Sequence, residues 1–374
     1  MGIFSKGSKS VSAMEKTKVL HIVGALNLGG AETMIMNIFR NIDRSRFQFD
    51  FYLSGDAGGF YEEEVLKLGG RILNVGRRKK HPVKYCTELF KLIRKEKYDA
   101  VQIHATDAQD GLPAVVARLA GAKKVCLFSH NTSGQSMWRQ KVMRVLFMWA
   151  VTEPQACSEL AAQWMFGKHT GNAKVIPLPI DCELGAYDES VRLQERSKWK
   201  IKADEKVIGH IGRFQTQKNH TFLLDIFAEV LKLDQTYKLV LVGDGNLRAE
   251  IDEKIDKLGL QNHVIQVGQI PGASKLMSMF DLFLLPSLYE GFPTVLLEAQ
   301  ANGLPCIASS TITPTIAQTD LIRFLDLKLP PEEWANCIVS LHERKNMAMY
   351  NQIIAEKYDI KKVTALFAEI YSER

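Results

Sequence analysis

Two glutamates eight residues apart are the feature of this chain with the clearest chemical meaning. Glu290 and Glu298 lie in LFLLPSLYEGFPTVLLEAQANGLPCIAS, where a buried strand is predicted to lead into a turn and then a helix. Both carboxylates can then face one site at the strand's carboxyl end, where open parallel sheets bind ligands. Free amides at the helix start would point towards an anion; they belong to Thr294, Val295 and Leu296. Carboxylates that can bind hydroxyl groups, next to amides that can bind a phosphate, predict a site for a sugar nucleotide.

Two cations follow another predicted strand. Arg213 and Lys218 lie in IGHIGRFQTQKNH, just beyond the end of that strand. Two positive side chains on one loop can grip a diphosphate and neutralise the charge that develops on it as it leaves. Alone they could equally be surface residues. Their predicted position opposite Glu290 and Glu298 favours a catalytic role.

Glycines close several of the predicted strands. Gly30, in NLGGAET, stands between a strand and a helix, where the backbone can approach a phosphate. Gly243, in VGDGNLR, permits a second such turn, and Gly268 and Gln269 close the next strand, where they could lie beside a nucleobase. The first turn is not G-x-G-x-x-G and no well-placed acid follows the second strand, which argues against a nicotinamide dehydrogenase.

Histidines also occur at predicted strand ends. His130, in SHNTSG, directly follows a buried strand, and His104, in IHATDAQD, follows another. A histidine in this position can contact a reacting sugar. It can also be a structural residue that is hydrogen-bonded in place, and for His130 both interpretations stay open.

A repeated alternation of strands and helices must position these residues. β-branched runs alternate with amphipathic stretches, beginning at KVLHIVGAL (18–26) and again at KVIGHIGRF (206–214). This alternation predicts parallel sheets built from βαβ units, and 374 residues are too many for one ordinary core. We therefore expect an α/β protein with two Rossmann-like domains, residues 17–180 and 181–354, facing each other across a cleft. A C-terminal helix of about residues 355–374 would cross back onto the first domain.

Positive charge is concentrated in the first half of the chain. The net charge is +6, but residues 1–178 contain 26 Lys and Arg against 15 Asp and Glu, a balance of +11, and the remainder carries −5. A basic half suits an anionic membrane surface or a phosphorylated acceptor, although ordinary solvated surface is an equal alternative. The run RRKKHPVK (77–84) would contribute about 1 kcal/mol per cation at an anionic leaflet.

The predicted helix in SMWRQKVMRVLFMWA has an apolar face with basic residues beside it. That face comprises Trp138, Val142, Val145, Leu146 and Trp149. Helices that lie in a membrane interface combine aromatic and basic residues in this way, but an ordinary amphipathic core helix is the favoured interpretation.

The chain shows no sign of membrane insertion or export. No apolar run approaches the roughly 18 residues of a membrane helix, and residues 1–16 lack the apolar segment of a signal peptide. The six cysteines are scattered, which suits a reducing cytosol. We expect a cytoplasmic protein that could dock at the inner face of the cell membrane.

Together these segments resemble glycosyltransferase family 4, whose members have the GT-B fold of two facing Rossmann-like domains. The E-x7-E element, here EGFPTVLLE, is the most specific mark, and GGAE, GRFQTQKNH, VGDGNLR and ACSELAAQWMFG support it. The resemblance covers nearly the whole chain after Lys16. Within the family the chain is similar to bacterial enzymes of capsular and exopolysaccharide synthesis.

The resemblance implies a role for each candidate residue. Glu290 would contact the hydroxyls of the transferred sugar, and Glu298 those of the ribose. Arg213 and Lys218 would hold the diphosphate, with His130 near the anomeric centre. The donor site would be completed by Gly30, Gly291, Phe292 and the helix-start amides.

The resemblance also implies a reaction. A sugar would pass from a nucleotide donor, UDP by family frequency, to a lipid-linked or glycan acceptor with retention of configuration. No cofactor, metal or nucleic acid is expected, and the chain lacks the D-x-D of metal-dependent transferases of the other main fold. Two alternatives stay open: a non-catalytic GT-B partner subunit and a sugar-nucleotide epimerase. SSTITPTIAQTDLIRFLDL replaces the family's usual glycine-rich segment, so the donor sugar and the acceptor are not assigned.

Overall fold

Two parallel sheets with helices on both faces form the protein. The computed structural model describes residues 15–55, 57–74, 76, 78–131, 137–341 and 347–373, without the side chains of residues 108 and 137–140. The predicted α/β fold of two Rossmann-like units is confirmed.

Seven parallel strands form the first sheet, in the order β3-β2-β1-β4-β5-β6-β7. Several of these strands are buried along nearly their whole length, as expected for a parallel sheet covered on both faces. The strands are β1 (Thr17–Val23), β2 (Phe47–Leu53), β3 (Arg71–Asn74), β4 (Ala100–Ala105), β5 (Lys124–Ser129), β6 (Glu153–Ala156) and β7 (Lys174–Val175). The helices between them are α1 (Gly30–Asn41), α2 (Glu62–Lys67), α3 (Pro82–Glu96), α4 (Leu112–Leu119), α5 (Met137–Met148) and α6 (Glu159–Phe166).

Six parallel strands form the second sheet, in the order β10-β9-β8-β11-β12-β13. The strands are β8 (Lys206–Ile211), β9 (Tyr237–Val242), β10 (Val264–Gly268), β11 (Leu282–Leu285), β12 (Cys306–Ser309) and β13 (Ile322–Leu325). The helices of this half are α7 (Glu189–Lys198), α8 (His220–Leu233), α9 (Arg248–Lys257), α10 (Thr294–Ala301), α11 (Pro331–Ser340) and α12 (Met347–Tyr358). The segment KLMSMF, which the sequence predicts as a helix, lies in a 3₁₀ helix, Ala273–Met279.

The C-terminal helix α13 (Ile360–Ser372) crosses back onto the first sheet, as predicted. Its apolar face, which includes Phe367 and Tyr371, is buried in the core beside β1 and α1. Burial of each such side chain contributes about 1.5–3 kcal/mol. The Ile180 amide donates to the Tyr358 carbonyl, and the Ile360 amide donates to that of Ile180. The two crossing segments are therefore bonded to each other where the chain passes between the domains.

The strand order reverses direction once in each sheet, between β1 and β4 and between β8 and β11. Open parallel sheets bind ligands in the crevice at such points, outside the carboxyl ends of the strands. The fold therefore directs attention to the loops that follow these four strands.

The outward face of α5 differs from its favoured interpretation as a core face. Val142, Val145, Leu146 and Trp149 are 44%, 76%, 53% and 57% exposed, and Trp138 lies outside the described side chains. The core side of the helix is instead provided by Phe147, which packs where Gly111 has no side chain. The hydrophobic pattern alone could not show which apolar residues of this helix face solvent.

Candidate active site

An ion pair between Glu290 and Lys218 is the centre of the candidate site. Lys218 Nζ donates to Glu290 Oε1 at 2.7 Å, and Gln217 Nε2 donates to Glu290 Oε2 at 3.1 Å. Only 8% of the Glu290 side chain and 17% of the Lys218 side chain are exposed. The sequence predicted the first two residues, but it gave no signal for Gln217, whose role depends on the turn that places it beside Lys218.

Local backbone geometry brings Lys218 to this position. Residues Thr216–Lys218 form one 3₁₀ turn after β8, and Asn219 ends it in the left-handed conformation before α8 begins. The Lys218 methylene carbons pass 3.2 Å from the place that a Cβ on Gly212 would occupy. A side chain at residue 212 would therefore crowd the lysine, which glycine allows to lie along the strand end.

The other predicted donor residues lie along the same edge of the second sheet. Arg213 follows β8, Gly243 follows β9, and Gln269 follows Gly268 at the end of β10. The Gly243 amide donates to the Gly268 carbonyl at 2.9 Å. Gly243 and Gly268 both have positive φ, 142° and 81°, which explains why glycine stands at these turns. Their proposed roles in binding a nucleotide stay predictions.

The start of α10 offers two of the three predicted amides. The Leu296 amide donates to the Pro293 carbonyl at 2.9 Å, because the helix begins with a tight first turn. Thr294 and Val295 occupy the first helical positions, where amides have no partner within the helix. An anion at this end would therefore be held by these two amides rather than by all three.

Glu298 lies apart from the Glu290–Lys218 pair. No described hydrogen bond or ion pair joins its carboxylate to another group of the described chain, and the charge of Asp181 in the crossing segment acts on it. Burial, with a smaller effect of Asp181, raises the pKa of Glu298 to about 7. The carboxyl is therefore free to bond a ligand hydroxyl, and its protonation changes near neutral pH.

Loops of the two domains meet beside Glu290. A Cβ on Gly291 would lie 3.7 Å from the carbonyl oxygen of His130, which follows β5 in the first domain. The neighbouring Phe292 packs against the hydrophobic cores of both halves and stacks on Tyr358 at 6.2 Å between ring centroids. The structure thus places the His130 backbone beside Gly291, the neighbour of Glu290, and contact between the His130 ring and a sugar stays a prediction.

His130 is the last of three hydrogen-bonded histidines, which we call the histidine ladder. His21 Nδ1 lies 3.1 Å from His104 Nε2, and His104 Nδ1 lies 3.1 Å from His130 Nε2. Burial lowers the pKa of His21 and of His130 to about 3, and it lowers the pKa of His104 well below the ordinary value. All three rings are therefore neutral at physiological pH.

The buried end of the ladder favours one tautomer. His21 Nε2 is buried without a hydrogen-bond partner. If each Nδ1–H donates towards the cleft, only an acceptor lone pair is left orphaned at His21, whereas the opposite direction leaves a buried N–H, which is rarer in proteins. The favoured direction places a proton on His130 Nδ1. The sequence suggested His130 and His104 separately but could not show their connection through His21.

A cavity with both apolar and polar walls lies against the ladder in the first domain. This strand-end cavity has a volume of about 450 Å³ and is lined at the ends of β1, β2 and β4 by residues that include Glu32, Arg78, His104 and Asp110. Burial raises the pKa of Glu32, and the charge of Arg213 in the second domain opposes this rise. Glu32 belongs to the GGAE motif, but the sequence did not indicate a role for this residue by itself.

Gly30 lies at the start of α1, and no described atom lies within 4 Å of where its Cβ would be. Its neighbour Gly29 is covered by the carboxylate of Glu32, which folds back over the turn. The predicted anion-binding place at this turn is therefore open at Gly30 and occupied by a carboxylate at Gly29.

The site combines three chemical capacities. An anionic leaving group can be stabilised by the exposed Arg213, by the mostly buried Lys218 and by the free amides of α10, because fixed charges act strongly in a partly closed cleft. Glu290 can accept hydrogen bonds from hydroxyls. Among the described residues no cluster of three or more His, Cys, Asp or Glu is arranged to hold a metal ion.

Two Rossmann-like units with this acid and these cations in their cleft define the class of GT-B glycosyltransferases. The family model Glycosyltransferase Family 4 matches residues 28–184, and the model Glycosyl transferases group 1 matches residues 191–318. EpsF of Bacillus subtilis, named as a candidate glycosyltransferase, is 38% identical over 333 residues, 86% of each chain. The chain therefore belongs to glycosyltransferase family 4.

Further relatives and a solved structure agree with this membership. The capsular polysaccharide biosynthesis glycosyltransferase CapH of Staphylococcus aureus is 24% identical, over 96% of this chain and 99% of its own. The Escherichia coli UDP-Gal:alpha-D-GlcNAc-diphosphoundecaprenol alpha-1,3-galactosyltransferase is 25% identical, over 80% and 81%. HepE of Anabaena, solved with UDP and glucose, superimposes with a TM-score of 0.78 at 20% identity, over 96% of this chain and all of its own. At that identity the structural likeness shows the fold.

Proposed function

We propose that this glycosyltransferase moves a sugar from a UDP-sugar to a lipid-linked saccharide, with retention of configuration, in the synthesis of a cell-surface polysaccharide. The observation that carries the proposal is the Glu290–Lys218 pair in the cleft beside His130. The capsular relative supports a role in polysaccharide biosynthesis. HepE, solved with UDP, supports the donor, and the galactosyltransferase named for a diphosphoundecaprenol-linked substrate supports the acceptor.

The charges of the cleft support transfer on one face of the sugar. Lys218, Arg213 and the Thr294 and Val295 amides would hold the diphosphate while Glu290 holds the sugar hydroxyls. The departing diphosphate would then help to take the proton of the acceptor hydroxyl on the same face, which retains the configuration. We propose that these protein cations replace a metal ion in stabilising the leaving group.

The reaction is tested by transfer with purified protein. A thermal-shift screen of UDP-, GDP- and ADP-sugars identifies the donor, because a ligand that binds the native state raises its stability. That donor is then incubated with a prenyl diphosphate monosaccharide in detergent, with and without EDTA, and the product linkage is read by NMR. We expect an α-linked product from an α-linked donor and an unchanged rate with EDTA.

Four outcomes would contradict parts of the proposal. A β-linked product would contradict retention of configuration, and loss of activity with EDTA would contradict metal independence. Epimerised free nucleotide sugar without an acceptor would favour the epimerase, and failure of every donor to bind would favour the non-catalytic subunit.

We also propose that the outward face of α5 docks on an anionic membrane surface. Its exposed Val145, Leu146 and Trp149 and the basic balance of the first half support this. None of the described helices has the length and apolarity to span a bilayer. Co-sedimentation with phosphatidylglycerol vesicles should occur at low salt and weaken at high salt, and Trp149→Asp should reduce it. Absence of binding at low salt would contradict the proposal.

A further inference from the structure

A second cavity lies beside the strand-end cavity and shares a wall with it. This helix cavity also has a volume of about 450 Å³ and lies between the start of α3, the start of α4 and the middle of α5. Both volumes are within the range of about 300–1,000 Å³ that is typical of small-molecule sites. Arg78 and Lys79 line both cavities, so they form the shared wall.

The two cavities differ in chemistry. The strand-end cavity combines apolar walls with the polar groups of Glu32, His104 and Asp110, which suit the apolar faces and the hydroxyls of a sugar. Apart from the shared cations, the helix cavity is lined by Gln109 and by four apolar residues, which suit a hydrocarbon chain. The apolar residues are Pro82, Leu112, Val142 and Met143.

The shared wall carries a positive charge that its neighbours do not fully neutralise. Arg78 Nη2 donates to Asp110 Oδ1 at 2.6 Å, which leaves other guanidinium donors for a ligand. The second oxygen of Asp110 accepts bonds from Thr106 and from the Asp107 amide. Lys79 is exposed and forms no ion pair with a carboxylate in the part of the chain that the structure describes. This wall therefore fits an anionic group of the ligand.

We propose that the joined cavities bind the acceptor as a glycolipid diphosphate, with its sugar in the strand-end cavity and its diphosphate against Arg78 and Lys79. Its hydrocarbon chain enters the helix cavity. The inference rests on the proposed function and assigns the acceptor a place and a chemical class. Sugar, diphosphate and chain follow one another in the ligand in the same order as polar walls, cations and apolar walls in the protein.

The position of the sugar agrees with the candidate active site. His104 lines the strand-end cavity and bonds to His130, whose carbonyl lies against Gly291. Glu32 lines the same cavity, and the charge of Arg213 in the second domain acts on it. A sugar in this cavity would therefore lie beside the place where the donor sugar is transferred. A free glycan would leave the apolar walls of the helix cavity in water, which is unfavourable.

Binding of lipid fragments tests the inference without requiring transfer. Titration calorimetry of the full chain would use farnesyl diphosphate, inorganic diphosphate and farnesol, each with UDP at saturation so that the donor's diphosphate site is filled. Because each buried CH₂ contributes about 0.8 kcal/mol, we expect farnesyl diphosphate to bind at least about tenfold more tightly than either fragment.

Two variants separate the chain from the diphosphate. Val142→Asp should weaken farnesyl diphosphate at least about tenfold more than it weakens inorganic diphosphate, because the prenyl chain loses an apolar wall and both ligands meet the same new charge. Lys79→Ala should weaken both diphosphates about tenfold and leave farnesol unchanged, because a charge-assisted bond is lost. Leu119→Asp, at the exposed far end of α4, and Lys95→Ala, in the last turn of α3, are matched controls that should bind as the wild type does.

The inference is overturned if the wild type does not bind farnesyl diphosphate, or if Val142→Asp and Lys79→Ala bind it as tightly as their controls. The proposed function is judged separately by transfer. Transfer to a lipid-linked sugar, with unchanged affinities in both variants, would support the proposed function and contradict the proposed acceptor site. Selective binding without transfer from any donor would keep the site and remove the function. Because Val142 is 44% exposed, its substitution is expected to leave the fold intact, which equal melting temperatures would verify.

Discussion

Gly291 faces the carbonyl oxygen of His130 across the cleft, with 3.7 Å between that oxygen and the place of a Cβ at residue 291. This is an ordinary van der Waals distance, so a methyl group fits there without displacing that oxygen. The glycine of the E-x7-E element therefore permits the two domains to approach beside Glu290.

Substitution of Gly291 should separate steric from conformational effects. Gly291→Ala should keep most of the activity, and Gly291→Leu should lower kcat at least about tenfold, because misplaced groups lose the benefit of orientation. The melting temperature should change little in both. Gly171→Leu, where a Cβ would meet open space, is the control. Full activity of Gly291→Leu would show that this approach is not needed for turnover.

The histidine ladder predicts a loss of stability in acid. A folded-state pKa lowered from 6.5 to about 3 means that the unfolded chain binds more protons between these values. Stability is therefore complete above about pH 6.5 and is lost as the pH falls towards 3, by about 2 kcal/mol per histidine between pH 6.5 and 5. His104→Gln should reduce this loss by about that amount in urea unfolding at a series of pH values.

The control for the ladder is His81→Gln, since His81 is exposed before α3. Its unfolding free energy should follow the wild-type pH dependence. Equal pH dependence in His104→Gln and the wild type would mean that the ladder does not hold its histidines neutral.

Glu298 should show opposite effects on stability and on binding. Its pKa of about 7 lies above the ordinary 4.5, so the folded state binds more protons between these values and loses stability as the pH rises through them. Glu298→Gln should therefore raise the free energy of unfolding at pH 8 by roughly 1–3 kcal/mol. It should also weaken the UDP-sugar about tenfold, because a hydroxyl loses a charged acceptor.

A matched variant for Glu298 is Glu253→Gln, on the exposed surface of α9. This substitution should change neither the free energy of unfolding at pH 8 nor the affinity for the UDP-sugar. A Glu298→Gln protein that is less stable than the wild type at pH 8 would contradict the account of this carboxyl.

Packing between Gly111 and Phe147 predicts a steric coupling. A Cβ on Gly111 would overlap the Phe147 ring, which is fully buried. Gly111→Ala should destabilise the protein by about 1–3 kcal/mol through overpacking, and Phe147→Leu in the same chain should recover part of the loss. Additive effects of the two substitutions in urea unfolding would show that α5 does not pack on this glycine.

The sequence predicted most of the elements that position the site, because buried strands and the helices between them have strong periodic patterns. The runs at KVLHIVGAL and KVIGHIGRF were predicted to begin the two strand–helix series, and β1 and β8 lie there. The outward face of α5 was mistaken for a core face. The spacing of Val142, Val145, Leu146 and Trp149 is the same whether that face packs on the core or faces solvent. Only tertiary packing shows that Phe147 is the buried residue.

Contacts between distant segments were the part that sequence could not supply. The bond between His21 and His104 joins residues that are 83 positions apart, and it depends on β1 and β4 being neighbours. The wall formed by Arg78 and Lys79 depends on how one loop packs over two cavities. The Leu296 amide was lost to Pro293 because the first turn of α10 is tight, which residue types alone did not indicate.

The central claim is that Glu290 and Lys218 act together in sugar transfer. The most direct test is kcat for transfer from the preferred nucleotide sugar by Glu290→Gln and Lys218→Met. The Glu229–Lys232 pair of α8, in which Lys232 Nζ and Glu229 Oε1 are 2.6 Å apart and the lysine is exposed, supplies the matched variants Glu229→Gln and Lys232→Met. We predict that each cleft variant lowers kcat by about 10²-fold or more, the scale of losing one positioned charge, with unchanged melting temperature. The α8 variants should retain wild-type rates. Rates within about twofold of wild type for both cleft variants would contradict the account.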